Sequence, residues 1–398
     1  MLRDKRVYLA QGTGIPHGSQ SYRCFYSREL EYIGFCDDFG PMNASCVIKF
    51  VTILQTELAR YPNDDLVYCV DTGRRNLTNA AFLLGAYMII VFKEQPRNIW
   101  ACFASLSEHT FEPFRDATFS DSEFDLTLLD CWEALARGRS LGWIDKPTSP
   151  GVWGRIILEE YDHYEDPLNG DLHIVVPDRF VAFKGPKDFP GGREFRDARG
   201  TRDFSPYYYV EIFKELGVKA VVRLNECLYD ARAFEDNGIR LFDLEFDDCT
   251  TPPDSIVAAF FRAVDSVEGL VAVHCKAGLG RTGTLIALDL MRRFKFAARE
   301  AVGWLRIMRP GSVIGDQQRY LCDVERAVRE ADAAAAAASD GGAPAASGMG
   351  GALERRTLSA GSGAGIERRT SSANSEALAR QVAEAMDRRA AERIHGRR

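Results

Sequence analysis

Two kinds of apolar run recur along most of the chain. Short continuous ones, LVYCV (66–70), HIVVPDRFVAF (173–183), AVVRL (220–224) and GLVAVHC (269–275), read as buried strands. Longer ones with helical spacing follow, NAAFLLGAYMIIVF (79–92) after the first and TGTLIALDLMRRF (282–294) after the last. Strand then helix, repeated, predicts an α/β fold with helices on both faces of a sheet. In one place the halves run in parallel. VYCVDTGRRNLTNAAF (67–82) and VHCKAGLGRTGTLIAL (273–288) both read as strand, Cys-x5-Arg, helix, which suggests a duplicated domain.

Two breaks divide the pattern. Pro147, Thr148, Ser149, Pro150 and Gly151 interrupt it, and the acidic, aromatic ILEEYDHYEDPLNGD (157–171) that follows starts as a predicted helix. From Ala331 to Arg398 there is no aromatic residue, and such a segment cannot bury enough apolar surface to offset its ordering entropy. The division is therefore 1–150, 151–172, 173–330 and a disordered basic tail, 331–398, in which Glu376–Gly396 could form a marginal helix. ERRTLSA (354–360) and ERRTSSA (367–373) repeat within the tail. Two arginines stand ahead of Thr357 and Thr370, which makes these threonines candidate sites for regulatory kinases that read basic residues.

Composition narrows the class. A chain of 398 residues that is 46% hydrophobic and 27% charged is that of a soluble globular protein, not a fibrous one. Its apolar runs fall short of a membrane span, and the opening MLRDKRVYLA has no apolar core for a secretory signal. A nuclear and cytoplasmic location without a membrane partner is expected. Residues 1–330 hold 40 basic and 49 acidic residues, which counts against nucleic acid, whereas the tail holds 10 Arg against 8 acidic residues. The ten cysteines form no CxxC or CxxH pair, and six scattered histidines offer no ligand cluster. No disulfide framework, metal or cofactor is expected.

The candidate chemistry lies in His274-Cys275-Lys276-Ala277-Gly278-Leu279-Gly280-Arg281-Thr282-Gly283. A strand ends at the cysteine and a helix begins at about Arg281. The glycines between let backbone N–H groups turn inward, and the helix N-terminus adds partial positive charge. Arg281 can fork onto two oxygens of a phosphoryl group. The same field favours the thiolate of Cys275, so the residues read as a nucleophile in a cup built for a tetrahedral dianion, forming a phosphocysteine that water then hydrolyses. Thr282 can donate its hydroxyl to the sulfur, and His274 orients the loop rather than acting as a base. The leaving alkoxide needs a general acid on an upstream loop. LEFDDCTTPPD (244–254) supplies Asp247 and Asp248, between which spacing does not choose, while Asp254 is expected to cap the following helix.

HCKAGLGRTG, the FDDCTTP loop and RPGSVIGDQQ (309–318) together look like the cell division cycle fourteen phosphatases, dual-specificity enzymes that reverse cyclin-dependent kinase phosphorylation. The likeness extends through GFCDDFGPMNASCV (34–47), NAAFLLGAY (79–87), PFRDATF (113–119) and LNGDLHIVVPDRFVAFKGP (168–186), and is absent from the tail. It implies two tandem cysteine-phosphatase-like domains joined by a linker helix, only the second catalytic. It also implies Cys275 as nucleophile, Arg281 as phosphate clamp, Asp248 as general acid, and Gln317 and Gln318 as the glutamine loop that positions the hydrolytic water. The family prefers phosphoserine followed by proline and a basic residue further on, held in an acidic groove. Here Glu159, Glu160, Asp162 and Glu165 are the groove candidates, with Asp121 and Glu123 as contributors. Nuclear, mitotic, centrosomal and spindle settings are implied on the same footing.

The sequence departs from the family at two places. Cys249 stands where the loop has glycine; a side chain there would stiffen loop closure, and the thiol could form a protective disulfide with Cys275. Cys69 with Arg75 completes a Cys-x5-Arg in the first domain, but Asp71 inside the loop, a single glycine and Asn76 after the arginine mark a degenerate, structural copy. The alternatives are an inositol-lipid phosphatase, disfavoured by Leu279 at the middle of the loop and by the acidic body, and a non-catalytic phosphate-binding scaffold.

Overall fold

The computed structural model describes residues 7–12, 22–103, 105–107, 109–198 and 201–339. Thr357, Thr370 and the tail segment from 340 onward lie outside the described residues.

The first half comprises β1 (Val7–Gln11), β2 (Tyr22–Phe25), α1 (Ala44–Arg60), β3 (Asp65–Val70), α2 (Arg74–Phe92), α3 (Pro96–Ala101) and α4 (Leu128–Ser140). Strands β1 and β2 flank β3, both parallel to it. The Asn43 side chain accepts the Cys46 amide at 2.8 Å and so caps α1. That helix buries Ala44, Val47, Ile48, Val51 and Leu54, one helical stripe. Helix α2 departs from the expectation that every apolar run is too short for a membrane, since by length and composition it could cross one. More than half of it is buried inside the protein, however, and Gly85 lets the Trp132 ring lie against its backbone.

A small antiparallel sheet, β4 (Pro147–Ser149), β5 (Val152–Trp153) and β6 (Ile156–Ile157), leads into α5 (Leu158–Glu165). The predicted linker helix is therefore short. It stops at Glu165, with Pro167 and the left-handed Gly170 just beyond. Tyr161 donates its hydroxyl to the Met308 carbonyl at 2.8 Å, and Lys49 of α1 pairs with Asp162 at 2.8 Å, so α5 is held from both sides.

The second half comprises β7 (Leu172–Val176), β8 (Phe180–Phe183), β9 (Phe195–Ala198), β10 (Thr201–Phe204), α6 (Pro206–Leu216), β11 (Val218–Arg223), α7 (Arg232–Glu235), β12 (Arg240–Asp243), α8 (Asp254–Asp265), β13 (Leu270–His274), α9 (Gly280–Phe294), α10 (Ala298–Met308) and α11 (Asp316–Ser339). Its sheet has the order β12-β11-β13-β8-β7, parallel except for β7. The run at 173–183 is thus two antiparallel strands turning at Pro177–Arg179, with Asp178 left-handed. Phe180, Ala182, Val271, Val273, Ala220 and Val222 face α8 and α9. Val181, Phe183, Ala272 and Val221 face α6 and α7. Burial on both faces is why these strands read as unbroken apolar runs.

The two halves share one core. Trp304 of α10 packs on Gly138 of α4 and on Trp143, and donates its indole N–H to the Val175 carbonyl at 2.9 Å. Truncating a tryptophan buried in this way costs about 3–5 kcal/mol. Helix α11 runs past the expected boundary at Ala331 to Ser339, because the polyalanine there has the highest intrinsic helix propensity. Asp254 opens α8 without a side-chain cap; Pro253 holds the capping position, and burial raises the Asp254 carboxyl above its ordinary range.

Candidate active site

Cys275 stands at the carboxyl end of β13, in the middle of the parallel sheet, where α/β proteins place their ligand sites. It is buried, and α9 begins five residues later at Gly280. Gly278 is left-handed (φ +71°), and a Cβ there would sit 2.0 Å from the Phe183 carbonyl oxygen, so no other residue fits. Behind the loop, Arg309 donates through Nε to the Gly278 carbonyl (2.9 Å) and through Nη2 to the Ala277 carbonyl (3.0 Å). A peptide plane has its N–H opposite its C=O. Pinning both carbonyls on the outside therefore turns the amides of Gly278 and Leu279 the other way, toward the inside of the loop. Arg309 is itself fixed by the Asp171 carboxylate (2.9 Å), the Asp171 carbonyl (3.1 Å) and His173 Nδ1 (3.0 Å).

The His274 ring joins Cys275 to the sheet's other face. Its Nδ1 lies 3.0 Å from the Cys275 carbonyl, which can only accept, so Nδ1 carries the proton and Nε2 accepts from the Tyr229 hydroxyl at 2.8 Å. Full burial pushes its pKa down to about 3, so the ring is neutral and serves the loop's orientation.

Arg281 donates through Nη1 to the Leu224 carbonyl (3.1 Å) and the Phe246 carbonyl (2.8 Å), which fixes the guanidinium plane. Its Nε lies 3.1 Å from Asp248 Oδ1, an ion pair without the alignment of a hydrogen bond. Of the two aspartates left open by spacing, Asp248 is the one on the arginine, while Asp247 is exposed. The Thr282 hydroxyl is buried and makes no hydrogen bond, so the expected bond to the sulfur is not made. Lys276 is exposed, and its carbonyl takes the Gly185 amide at 3.2 Å.

The two glutamines part company. Gln317 donates through Nε2 to the Thr250 carbonyl of the aspartate loop (3.0 Å), accepts the Ile314 amide (3.2 Å), and lies against Gly280 at the start of α9. Gln318 instead gives its oxygen to buried Arg306 (2.6 Å). Cys249 is left-handed (φ +57°), which explains the family's glycine. Its side chain packs against the cluster of Leu279 and Ile314 with Phe35 and Ala117 of the first half. Burial pushes its pKa up to about 12, and both Cys249 and Cys275 are free cysteines.

The groove candidates divide as well. Asp162 is paired with Lys49 and takes the Ser45 hydroxyl, and Glu165 takes the Asn43 amide at 2.8 Å; both carboxylates dock α5 onto α1. Glu159 is exposed, and burial raises the Glu160 carboxyl above its usual range. Glu123 pairs loosely with Arg319 (3.8 Å), and Asp121 is exposed.

The RPGSVIGDQQ segment points to its glutamines and not to the role of Arg309. The signal available was a lone arginine ahead of Pro-Gly, which does not disclose a partner 138 positions away.

Residues 1–138 match the family described as dual specificity protein phosphatase, N-terminal half, and residues 201–295 the one described as polymorphic toxin system, DSP-PTPase phosphatase. The chain is 39% identical to dual specificity protein phosphatase CDC14A of Homo sapiens over 319 residues, which is 79% of this chain and 52% of that protein. It is 36% identical to tyrosine-protein phosphatase CDC14 of Saccharomyces cerevisiae over 325 residues, 79% of this chain and 57% of that one. The chain spans about half the length of these curated relatives. Among solved structures, Tk-PTP in the active form aligns with 39% of this chain and 95% of its own, at 21% identity and a TM-score of 0.32.

Proposed function

The chain belongs to the CDC14 family of dual specificity protein phosphatases, and on that premise we propose that it hydrolyses phosphoserine, phosphothreonine and phosphotyrosine in proteins through a phosphocysteine at Cys275. In this reading the Cys275 thiolate attacks phosphorus, the P–S bond forms and the P–O bond to the substrate breaks. Asp248 gives its proton to the leaving oxygen. Water activated by the resulting carboxylate and placed by Gln317 then attacks, the P–S bond breaks, and the thiolate is restored with inorganic phosphate. Arg281 holds two phosphoryl oxygens throughout, and the inward amides of the loop hold the rest.

The observation that carries the reading is the loop itself. Cys275 sits under backbone amides whose carbonyls Arg309 holds outside, beside an arginine that already touches an acid. A preference for phosphoserine-proline with a downstream basic residue, nuclear and mitotic settings, and the division at 150, 172 and 330 belong to the same proposal. Among the described residues, Glu159 and Glu160 support the preference as the α5 carboxylates with no bond to the first half. The test is a phosphopeptide panel that varies the phospho-residue, the following proline and a downstream lysine, with Cys275→Ser and Asp248→Ala as controls. Hydrolysis of inositol-lipid headgroups in preference to every peptide would sink the reading, as would slowed turnover in Asp247→Ala but not in Asp248→Ala for the acid.

A further inference from the structure

The first half reaches the catalytic loops directly. Asp116, 3% exposed, accepts the Gly315 amide on Oδ2 at 2.7 Å and the Thr118 hydroxyl on Oδ1 at 3.1 Å. Gly315 is left-handed (φ +55°) and lies two residues before Gln317, in the turn where the Gln317 oxygen takes the Ile314 amide. Ile314 is buried with Phe35 and Ala117, which also come from the first half. The turn that carries Gln317 is thus anchored at two points by the first half, and Asp116 lies 199 positions from Gly315 in sequence. From it, Gln317 Nε2 reaches the Thr250 carbonyl, on the same loop as Asp248.

From this relay we propose that Asp116 is a positioning residue for the second half-reaction, the hydrolysis of phosphocysteine. It touches neither substrate nor sulfur. A carboxylate accepting an amide makes a charge-assisted bond, stronger than a neutral one. That bond fixes the turn so that the Gln317 amide group stays between the start of α9 and the aspartate loop, where the attacking water must be held. The first half-reaction, in which sulfur attacks phosphorus and the leaving oxygen departs, uses Cys275, Arg281 and Asp248 and does not need the turn. Loss of the anchor should therefore slow one step and spare the other. The inference rests on the proposed role of Gln317.

The experiment is stopped-flow turnover of para-nitrophenyl phosphate by the full chain, comparing Asp116→Ala, Asp116→Asn and Gln317→Ala with the parent. In Asp116→Ala the ratio of first-turnover to steady-state rate should rise about tenfold, the loss expected for one charge-assisted bond, with up to one equivalent of para-nitrophenol released in a burst. Asn can still accept the Gly315 amide through a neutral bond and should recover most of the parent ratio. A merely structural role would lower both rates together and leave the ratio fixed. If Asp116→Ala does not fold, Asp116→Ser, polar but too short to reach that amide, takes its place with the same expectation. A burst in Gln317→Ala with an unchanged ratio in the Asp116 variant overturns the inference alone. No burst in Gln317→Ala overturns the glutamine reading, and the relay with it.

Discussion

The chain contains the same backbone device twice, and the copies differ in what surrounds it. In both, a parallel strand ends beside a cysteine and a helix starts five residues on, at Arg74 after Cys69 and at Gly280 after Cys275. Both helices aim a positive end at their loops. In the first copy that field finds no reactive group. The Cys69 thiol donates to the Val67 carbonyl, and burial pushes its pKa up to about 12. Arg75 is occupied by Asp37, at 2.8 and 3.1 Å, and by Glu112 at 2.8 Å. A cavity of about 610 Å³ remains over the loop, but its arginine is already neutralised. In the second copy the Arg281 Nη1 goes to two carbonyls, which carry no charge, and a separate arginine shapes the loop. A helix dipole and a Cys-x5-Arg spacing are common to both loops; what separates them is that Arg75 is held by two aligned carboxylates, whereas Arg281 meets one, Asp248, in an ion pair without the alignment of a hydrogen bond.

The sharpest way to break this contrast is to remove each sulfur. Cys275→Ser should lower kcat by roughly 10⁴-fold or more, as loss of a covalent nucleophile does, whereas Cys69→Ser should leave steady-state turnover within about twofold. Activity surviving in the first variant, or lost in the second with the fold intact, would reverse the assignment of the two loops. Next in size is Arg309→Met. Freed carbonyls could turn into the cup, and loss of preorganised donors costs about 10²- to 10³-fold. The expected outcome is a matching fall in kcat/KM and in inhibition by vanadate, which reads the cup without chemistry. Vanadate affinity unchanged in Arg309→Met would show that the loop holds its shape unaided.

Most of this contrast was legible where it is local. The strand, the two glycines, Arg281 and the start of α9 fall within one stretch, so spacing alone placed them, and Asp71 already marked the first loop as degenerate. What decides function between the loops comes from far away in sequence. Asp37 and Glu112 disable Arg75, and Asp171 and His173 fix Arg309. Patterns of period 2 or 3.6 carry no information about such contacts. The β7–β8 hairpin was read as one run because both its strands are apolar on both faces. The choice between Asp247 and Asp248 needed the position of Arg281. Resemblance pointed to Asp248 before any geometry did.

A third contrast is His274 against Tyr68, the residues just before each cysteine. Tyr68 shares a hydrogen bond with Ser27 at 2.6 Å and carries no titrating group near neutral pH. His274 has a native pKa of about 3, below the 6.5 of an unfolded histidine. The unfolded state therefore binds the proton first, and stability falls as pH drops below about 6.5 toward 3. Between pH 7 and pH 5 this one residue should remove about 2 kcal/mol, measurable as a drop in urea midpoint. His274→Gln should flatten the curve over that interval. The Asp265 carboxyl, held down to about 2 by Arg292 and Arg293 against the upward push of burial, acts only below about pH 4 and does not blur the window.

The smallest effect tests the same rule with the charges exchanged. On α5 it is a carboxylate, not an arginine, that a neighbour neutralises. Asp162 is paired with Lys49, which offsets its charge, and Glu165 keeps its charge but is held against α1 by the neutral Asn43 amide, while among the described residues Glu159 and Glu160 have no such partner in the first half. A downstream lysine on a phosphopeptide should then be read by the latter two. Glu160→Gln should raise KM for a lysine-bearing peptide about fivefold, roughly 1 kcal/mol, and leave KM for an alanine-bearing peptide unchanged. Asp162→Asn should shift both by less than about twofold, because the surface pair it breaks is worth at most about 1 kcal/mol and lies outside the recognition. Lys49→Met separates the two explanations. If pairing is what silences Asp162, removing the lysine should lower KM for the lysine-bearing peptide alone, and an equal change in both peptides would mean that α5 had simply moved.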